Sequence, residues 1–205
     1  ADPFPYPEKP MARGKVLTLE DIKRLGGFAR YRDVDGDGVG YRTLPGTPHP
    51  AAGYFTRGSG HNEKAQYSER PEDYIHNLDR LNRKFDTARQ LAPAPVIRQA
   101  QSAEVGIIAY GTSHWAVLES LDQLKQERDL DASYLRLRAF PFNHEVKDFV
   151  RRHRRVYVID QNRDAQMLQL LRLEVDADDV KKLRSVRHYS GLPIDARSVT
   201  DLIAS

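Results

Sequence analysis

From Glu104 onward the apolar positions fall into short blocks that alternate between two periods. Glu104–Tyr110 (EVGIIAY) is a continuous apolar run. Ala132–Ala139 (ASYLRLRA) sets Leu135 and Leu137 against Tyr134, Arg136 and Arg138. Val156–Ile159 (VYVI) is apolar throughout, and Leu183–Tyr189 (LRSVRHY) is a fourth short block. Short runs of this kind, rich in β-branched and aromatic residues, predict strands. Between them the period lengthens to three and four. Val117, Leu118, Leu121 and Leu124 form one helical stripe after Gly111-Thr112-Ser113. Val146, Phe149 and Val150 form another within 144–154, Met167, Leu168, Leu170 and Leu171 a third within 164–173, and Val199, Leu202 and Ile203 a last one within 195–203. Strands alternating with helices at this spacing predict an α/β fold: an open, mainly parallel sheet with helices on both faces. In such sheets ligands sit at the carboxyl ends of the strands.

The first part of the chain reads differently. Thr18-Leu19-Glu20-Asp21 has the form of a capping box opening a short helix through Leu25, with Gly26-Gly27 to end it. Residues 68–91 carry the longest periodicity, Tyr74, Leu78, Leu81, Phe85 and Ala88, one stripe of a long amphipathic helix with Pro71 in its first turn. Ala92-Pro93-Ala94-Pro95 ends it as a short stiff linker. Residues 40–69 have no period at all. A structureless stretch of that length is uncommon in a compact domain, and its Tyr41, Tyr54, Phe55 and Tyr67 argue for order. The expected division is therefore 1–95, an extended arm, a loop and a linking helix, followed by 96–205, an α/β domain.

Composition narrows the function. The 205 residues are 40% hydrophobic and 30% charged, enough for a packed core without staples. A net charge of +3 is no footprint of a dedicated nucleic-acid binder. No run approaches the roughly 18 apolar residues that span a bilayer. With no cysteine, the chain carries neither a disulfide nor a thiolate-ligated zinc or iron–sulfur centre. The opening residues are Pro-rich, start on alanine and lack the apolar core of a secretory signal. They read as a linker leaving something upstream, the alternative being an appended segment ahead of a native start at Met11.

Several motifs imitate known sites. Asp33, Asp35 and Asp37 with Gly38 begin like a calcium loop, but Leu44 stands where the bidentate glutamate belongs, so a solvated turn is the better reading. Gly36-Asp37-Gly38 lacks the apolar strand and paired asparagines of a metal–diphosphate site. Gly111-Thr112-Ser113 is read as helix capping by Thr112 or Ser113. The run from Arg151 to Arg155 lies at a helix end, where cations complement the dipole, with no aromatic interleaved for base stacking. His49, His61 and Glu63 match no metal spacing. Asp160, Asn162 and Gln166 gather at the binding edge of the sheet, equally the place for capping bonds. Arg42, between Tyr41 and Thr43 and ahead of Leu44-Pro45-Gly46, carries a planar fork suited to a carboxylate; by residue type alone it reads as a surface arginine.

Six segments together carry a resemblance: 30–63 (RYRDVDGDGVGYRTLPGTPHPAAGYFTRGSGHNE), EDYIHNLDRLNRKFD, EVGIIAYGTSHWAVLESL, LRLRAFPF, VYVIDQNRDAQMLQLLR and GLPIDARSVTD. In this order, over about Met11–Ala204, they resemble the C-terminal region of the alpha subunit of 2-oxoacid:ferredoxin oxidoreductases, most like the 2-oxoglutarate type. The resemblance implies oxidative decarboxylation of a 2-oxoacid on thiamine diphosphate, electron transfer through an iron–sulfur cluster to ferredoxin, and acyl transfer to coenzyme A. It implies a domain like the C-terminal domain of transketolase over 104–205. It implies a cytoplasmic complex with a beta subunit and a second alpha subunit, and with thiamine diphosphate, magnesium and the cluster held outside this chain. On it, Arg42 is a substrate anchor and Thr43 a second contact. No catalytic or metal-binding residue is assigned, and the isolated chain is expected to be inactive. The competing expectation is a subunit-association domain that touches no substrate.

Overall fold

A computed structural model describes residues 6, 8–54 and 58–204; Phe55 and Arg57 of the long loop lie outside the described residues. The chain divides into two compact units, Ala1–Ala88 and Arg89–Ser205.

In the first unit, α1 spans Leu19–Arg24. Its capping box is formed: Asp21 N donates to Thr18 Oγ1 at 3.2 Å, and Thr18 N donates to the Asp21 carboxylate at 3.0 Å. Gly26 (φ +69°) and Gly27 (φ +128°) end the helix, and Gly27 N donates to Ile22 O at 2.9 Å. Ile22 is the one fully buried side chain of α1. A parallel bridge between Val16 and Arg42 ties the segment before α1 to the start of the long loop. Among its described residues the loop is irregular, apart from a 3-10 turn at Pro50–Ala52 and an antiparallel bridge between His61 and Tyr67.

The long helix α2 spans Pro71–Leu91, its first eighteen residues within this unit. Apolar stripes of surface helices ordinarily face a core. Here Tyr74 is 61%, Leu78 47% and Phe85 50% exposed, whereas Arg80 is buried. The side of α2 that meets its own unit is polar. Arg80 Nη1 donates to Gly38 O at 2.9 Å, Thr87 Oγ1 to Asp37 O at 2.7 Å, and Asn77 Nδ2 to His61 O at 2.5 Å. The hydrogen-bonding capacity of an irregular loop decides the orientation, because its carbonyls need donors once water is removed.

In the second unit, β1 (Val96–Arg98), β2 (Val105–Tyr110), β3 (Ala132–Leu137), β4 (Arg155–Asp160) and β5 (Leu183–Arg187) form a sheet in the order β1-β3-β2-β4-β5. All pairings are parallel except β1 with β3. The edge strand β1 was not anticipated: three residues directly after Pro95 are too few to show a period, and Val96, Ile97 and Arg98 are all exposed. Crossovers are α3 (Ser113–Arg128), α4 (His144–Arg152), α5 (Gln166–Glu174) with the short α6 (Ala177–Val180), and α7 (Ala196–Ala204) closes the chain. Successive strand residues point to opposite faces. Ile108, Leu135, Val156 and Val158 pack with Phe149 of α4 and Leu168 and Leu171 of α5. Ile107, Ala109, Tyr134 and Ile159 pack with Val117 and Leu124 of α3 and Val199 of α7. The open, mainly parallel sheet with helices on both faces is therefore as the hydrophobic pattern predicted.

Candidate functional site

Arg42 is half-buried, and its backbone is fixed from both sides. Arg42 N donates to Lys15 O at 3.0 Å, and Leu17 N donates to Arg42 O at 3.0 Å. The guanidinium donates through Nη2 to the carbonyl of Arg13. A carbonyl accepts without supplying charge, so the cation keeps its net charge for an anionic partner.

Thr43 is buried, and its hydroxyl donates to Ala52 O at 2.6 Å, closing the loop between them. That loop encloses a cleft of about 350 Å3 lined by Thr43, Leu44, Pro45, His49, Ala52 and Tyr54. His49 serves the loop itself, since Ala51 N donates to its Nδ1 at 3.0 Å. Arg42 does not line this cleft; its neighbour Thr43 does.

A second cleft of about 480 Å3 shares Tyr54 and adds Phe28, Arg30, Lys64 and Tyr67. The Arg30 guanidinium lies 5.8 Å from the Tyr54 ring centroid and 5.5 Å from that of Tyr31. Tyr31 stacks on His61 at 4.1 Å and also faces Arg80 at 5.6 Å. Burial works against the Arg80 charge, and Arg30 adds to that; among the described residues Nε of Arg80 has no hydrogen-bond partner. Sequence reasoning missed Arg30, Lys64 and Arg80. Nothing in a single sequence separates Arg80 from a solvated helix arginine, because it lies on the polar side of α2.

The three acids of the calcium-like turn are all engaged. Lys15 Nζ reaches Asp35 at 2.5 Å and Asp37 at 2.6 Å, which holds both carboxyls below their usual range. Asp33 accepts from Gly38 N and from Arg83 Nε, each at 2.9 Å. His49, His61 and Glu63 are not brought together as ligands: His61 stacks, and Glu63 lies 3.7 Å from Arg32. Among the described residues no group of three or more His, Asp or Glu side chains is arranged to hold a metal ion.

At the carboxyl edge of the sheet, Asp160 is fully buried and works as a helix cap. It accepts from Met167 N at 3.1 Å, Leu168 N at 3.3 Å, Asn162 Nδ2 at 3.1 Å and Tyr110 Oη at 3.2 Å. Asn162 Oδ1 accepts from Gln166 N at 3.1 Å, so the trio does capping work. Burial, and then the nearby Asp160, push the Tyr110 phenol up. Thr112 precedes α3 but makes no side-chain capping bond; Gln161 Nε2 donates instead to Thr112 Oγ1 at 3.1 Å and Ser113 Oγ at 3.0 Å. In the basic run, Arg151 pairs with Asp148 and Asp176, while His153 is buried.

No protein-family model matches the chain. It is similar to subunit alpha of 2-oxoacid:ferredoxin oxidoreductase 2 of Aeropyrum pernix, 25% identical over 190 residues. The match covers 90% of this chain and 28% of that protein. In fold it resembles the 2-oxoglutarate:ferredoxin oxidoreductase from Magnetococcus marinus, solved with 2-oxoglutarate, coenzyme A and succinyl-CoA bound. That likeness has a TM-score of 0.75 at 19% identity, over 93% of this chain and 32% of that one. The chain thus spans less than a third of the length of either protein. The curated relative bears the name of the family that the sequence resembles, and the solved structure shares the fold.

Proposed function

We propose that this chain forms part of the alpha subunit of a thiamine-diphosphate-dependent 2-oxoacid:ferredoxin oxidoreductase, and that its irregular loop is one wall of the 2-oxoacid site. Arg42 meets the substrate carboxylate, and Thr43 shapes the adjoining cleft. The substrate class is a 2-oxoacid, 2-oxoglutarate first among them, with coenzyme A as acyl acceptor. The observation that carries the reading is the pinned arginine. Arg42 is held by backbone bonds on both sides, presents its charge to no carboxylate among the described residues, and adjoins the Thr43–Ala52 clamp. A planar guanidinium held in one place suits bidentate capture of a carboxylate.

The residues present do not fit the cofactors of such an enzyme. A chain without cysteine supplies no thiolate for an iron–sulfur cluster. The acids of the Gly36-Asp37-Gly38 turn are taken up by Lys15 and Arg83, leaving no donor set for magnesium diphosphate there. Thiamine diphosphate, magnesium and the cluster therefore belong to the rest of the alpha subunit and to a beta subunit. A second alpha subunit and ferredoxin complete the assembly. The 104–205 region acts as a transketolase C-terminal-like domain, in the cytoplasm. Among the described residues no helix is long and apolar enough to cross a membrane.

A subunit-association role without substrate contact is the second reading, favoured by the exposed apolar side of α2. Arg42→Ala in the complete enzyme separates the two. The first reading expects a rise of about tenfold or more in KM for the 2-oxoacid with an unchanged melting curve, the loss of one charge-assisted pair. Unchanged kinetics would sink it.

A further inference from the structure

Among the described residues, the hydrogen bonds of Arg42 all run to one short segment. Arg13 O accepts from its guanidinium, Lys15 O accepts from its backbone N–H, and Leu17 N donates to its carbonyl. The place of that segment therefore sets the place of Arg42. The pairing between them is the one Val16–Arg42 bridge, too short to hold two strands together by itself. Residues 11–14 are exposed, so the segment is anchored only from Lys15 onward.

The anchor at Lys15 is the calcium-like turn. Lys15 Nζ meets Asp35 at 2.5 Å and Asp37 at 2.6 Å, and lies 5.2 Å from the Tyr41 ring centroid. A hydrogen bond to the Asp35 carboxylate is the first cause pushing the Tyr41 phenol up. Asp35 thus grips both sides of the bridge: Lys15 on one, and Tyr41, directly before Arg42, on the other. The turn is itself tied down. Asp33 accepts from Gly38 N and from Arg83 of α2, while Gly38 O and Asp37 O accept from Arg80 and Thr87 of the same helix.

We propose that Lys15 is a positioning residue for the 2-oxoacid site, and that the turn of residues 33–38 sets the place of Arg42 through it. This rests on the reading of Arg42 as the carboxylate anchor. Lys15 is no second anchor, because two carboxylates share its ammonium and leave no positive charge over for a substrate. All three side chains are partly exposed, and ion pairs of that kind add little to stability. Their contribution is location, since a displacement of about 1 Å in a group that orients substrate is costly.

The test pairs kinetics of the complete enzyme with amide exchange in the full chain. Lys15→Met keeps most of the side-chain length and loses the ammonium. It is expected to raise KM for the 2-oxoacid about threefold or more, with kcat and KM for coenzyme A little changed, and Lys15→Arg is expected to restore the value. On an Arg42→Ala background Lys15→Met should add nothing, since both act through one group. In the Lys15→Met chain the Leu17 and Arg42 amides should exchange about tenfold faster, while the Leu25 amide, which closes α1, keeps its rate. Unchanged exchange overturns the proposal and leaves Arg42 as the anchor. So does an unchanged KM in Lys15→Met, a rise that Lys15→Arg does not reverse, or one that adds to that of Arg42→Ala. If Arg42→Ala itself leaves KM unchanged, the anchor reading falls and the proposal falls with it.

Discussion

Arg80 donates to the carbonyl oxygen of Gly38 at 2.9 Å, and Gly38 has no space for a side chain because the α2 backbone lies against it. The two residues are one joint. The arginine enters from the helix, the turn closes over it, and the glycine supplies both the left-handed φ of +76° and the close approach.

Replacing Gly38 by Ala adds left-handed strain and a clash with backbone rather than with a yielding side chain. The expected cost is on the order of 3 kcal/mol. Hydrogen exchange is the measurement: amides of α1 and the first turns of α2 should lose protection, while those of β2 and β4 keep theirs. Equal loss across both units, or no loss, contradicts the joint.

His153 sits at the end of α4, buried against Phe149 and Gly106. Its Nδ1 lies 2.7 Å from Phe149 O, and its Nε2 has no partner among the described residues. Burial lowers its pKa below the ordinary 6.5, more than the Phe149 bond raises it. The unfolded chain therefore takes up the proton first as pH falls, and the folded state loses stability below about pH 6.5. Urea midpoints of the second unit should fall from pH 7.5 to pH 5. His114, whose pKa burial also lowers, adds to the slope with the same sign. In His153→Phe the pH dependence should flatten; an unchanged slope would place the proton elsewhere.

Ser120 of α3 and Thr200 of α7 are both fully buried, with their hydroxyls 2.9 Å apart. Thr200 Oγ1 is also 2.9 Å from Ala196 O and 2.8 Å from Gln123 Oε1, so its proton goes to one of these and Ser120 donates to it. Thr200→Val leaves the Ser120 hydroxyl buried and unsatisfied, at a cost of about 1–3 kcal/mol. Adding Ser120→Ala should cost less than its own single effect, with a coupling of about 1 kcal/mol in chemical denaturation. Additive losses would mean that the two hydroxyls do not share a bond.

How much of this was legible follows from what a period can encode. Ile107 and Ile108 enter opposite cores because alternation is a property of any strand, so the sheet could be read directly. β1 could not, since Val96-Ile97-Arg98 is shorter than its own signal. The stripe on α2 was legible as a stripe but not in its direction, which is set by the carbonyls of Gly38 and Asp37 thirty or more residues away in sequence. At the candidate site, Thr43 reads as any loop threonine until its bond to Ala52 is seen. Arg30 and Lys64 come together only through the folding of an aperiodic segment.

The inverted placement of α2 also changes what a substitution table for this helix should look like. On an ordinary surface helix, apolar positions are the intolerant ones and polar positions drift freely. Here the isolated chain should accept charged residues at Tyr74, Leu78 and Phe85, and become more soluble for it. Apolar replacements at Arg80 or Thr87, which hydropathy would score as harmless filling, remove the donors that hold the turn. Along these turns, sequence drift in the free chain and in its assembled state would run under opposite constraints.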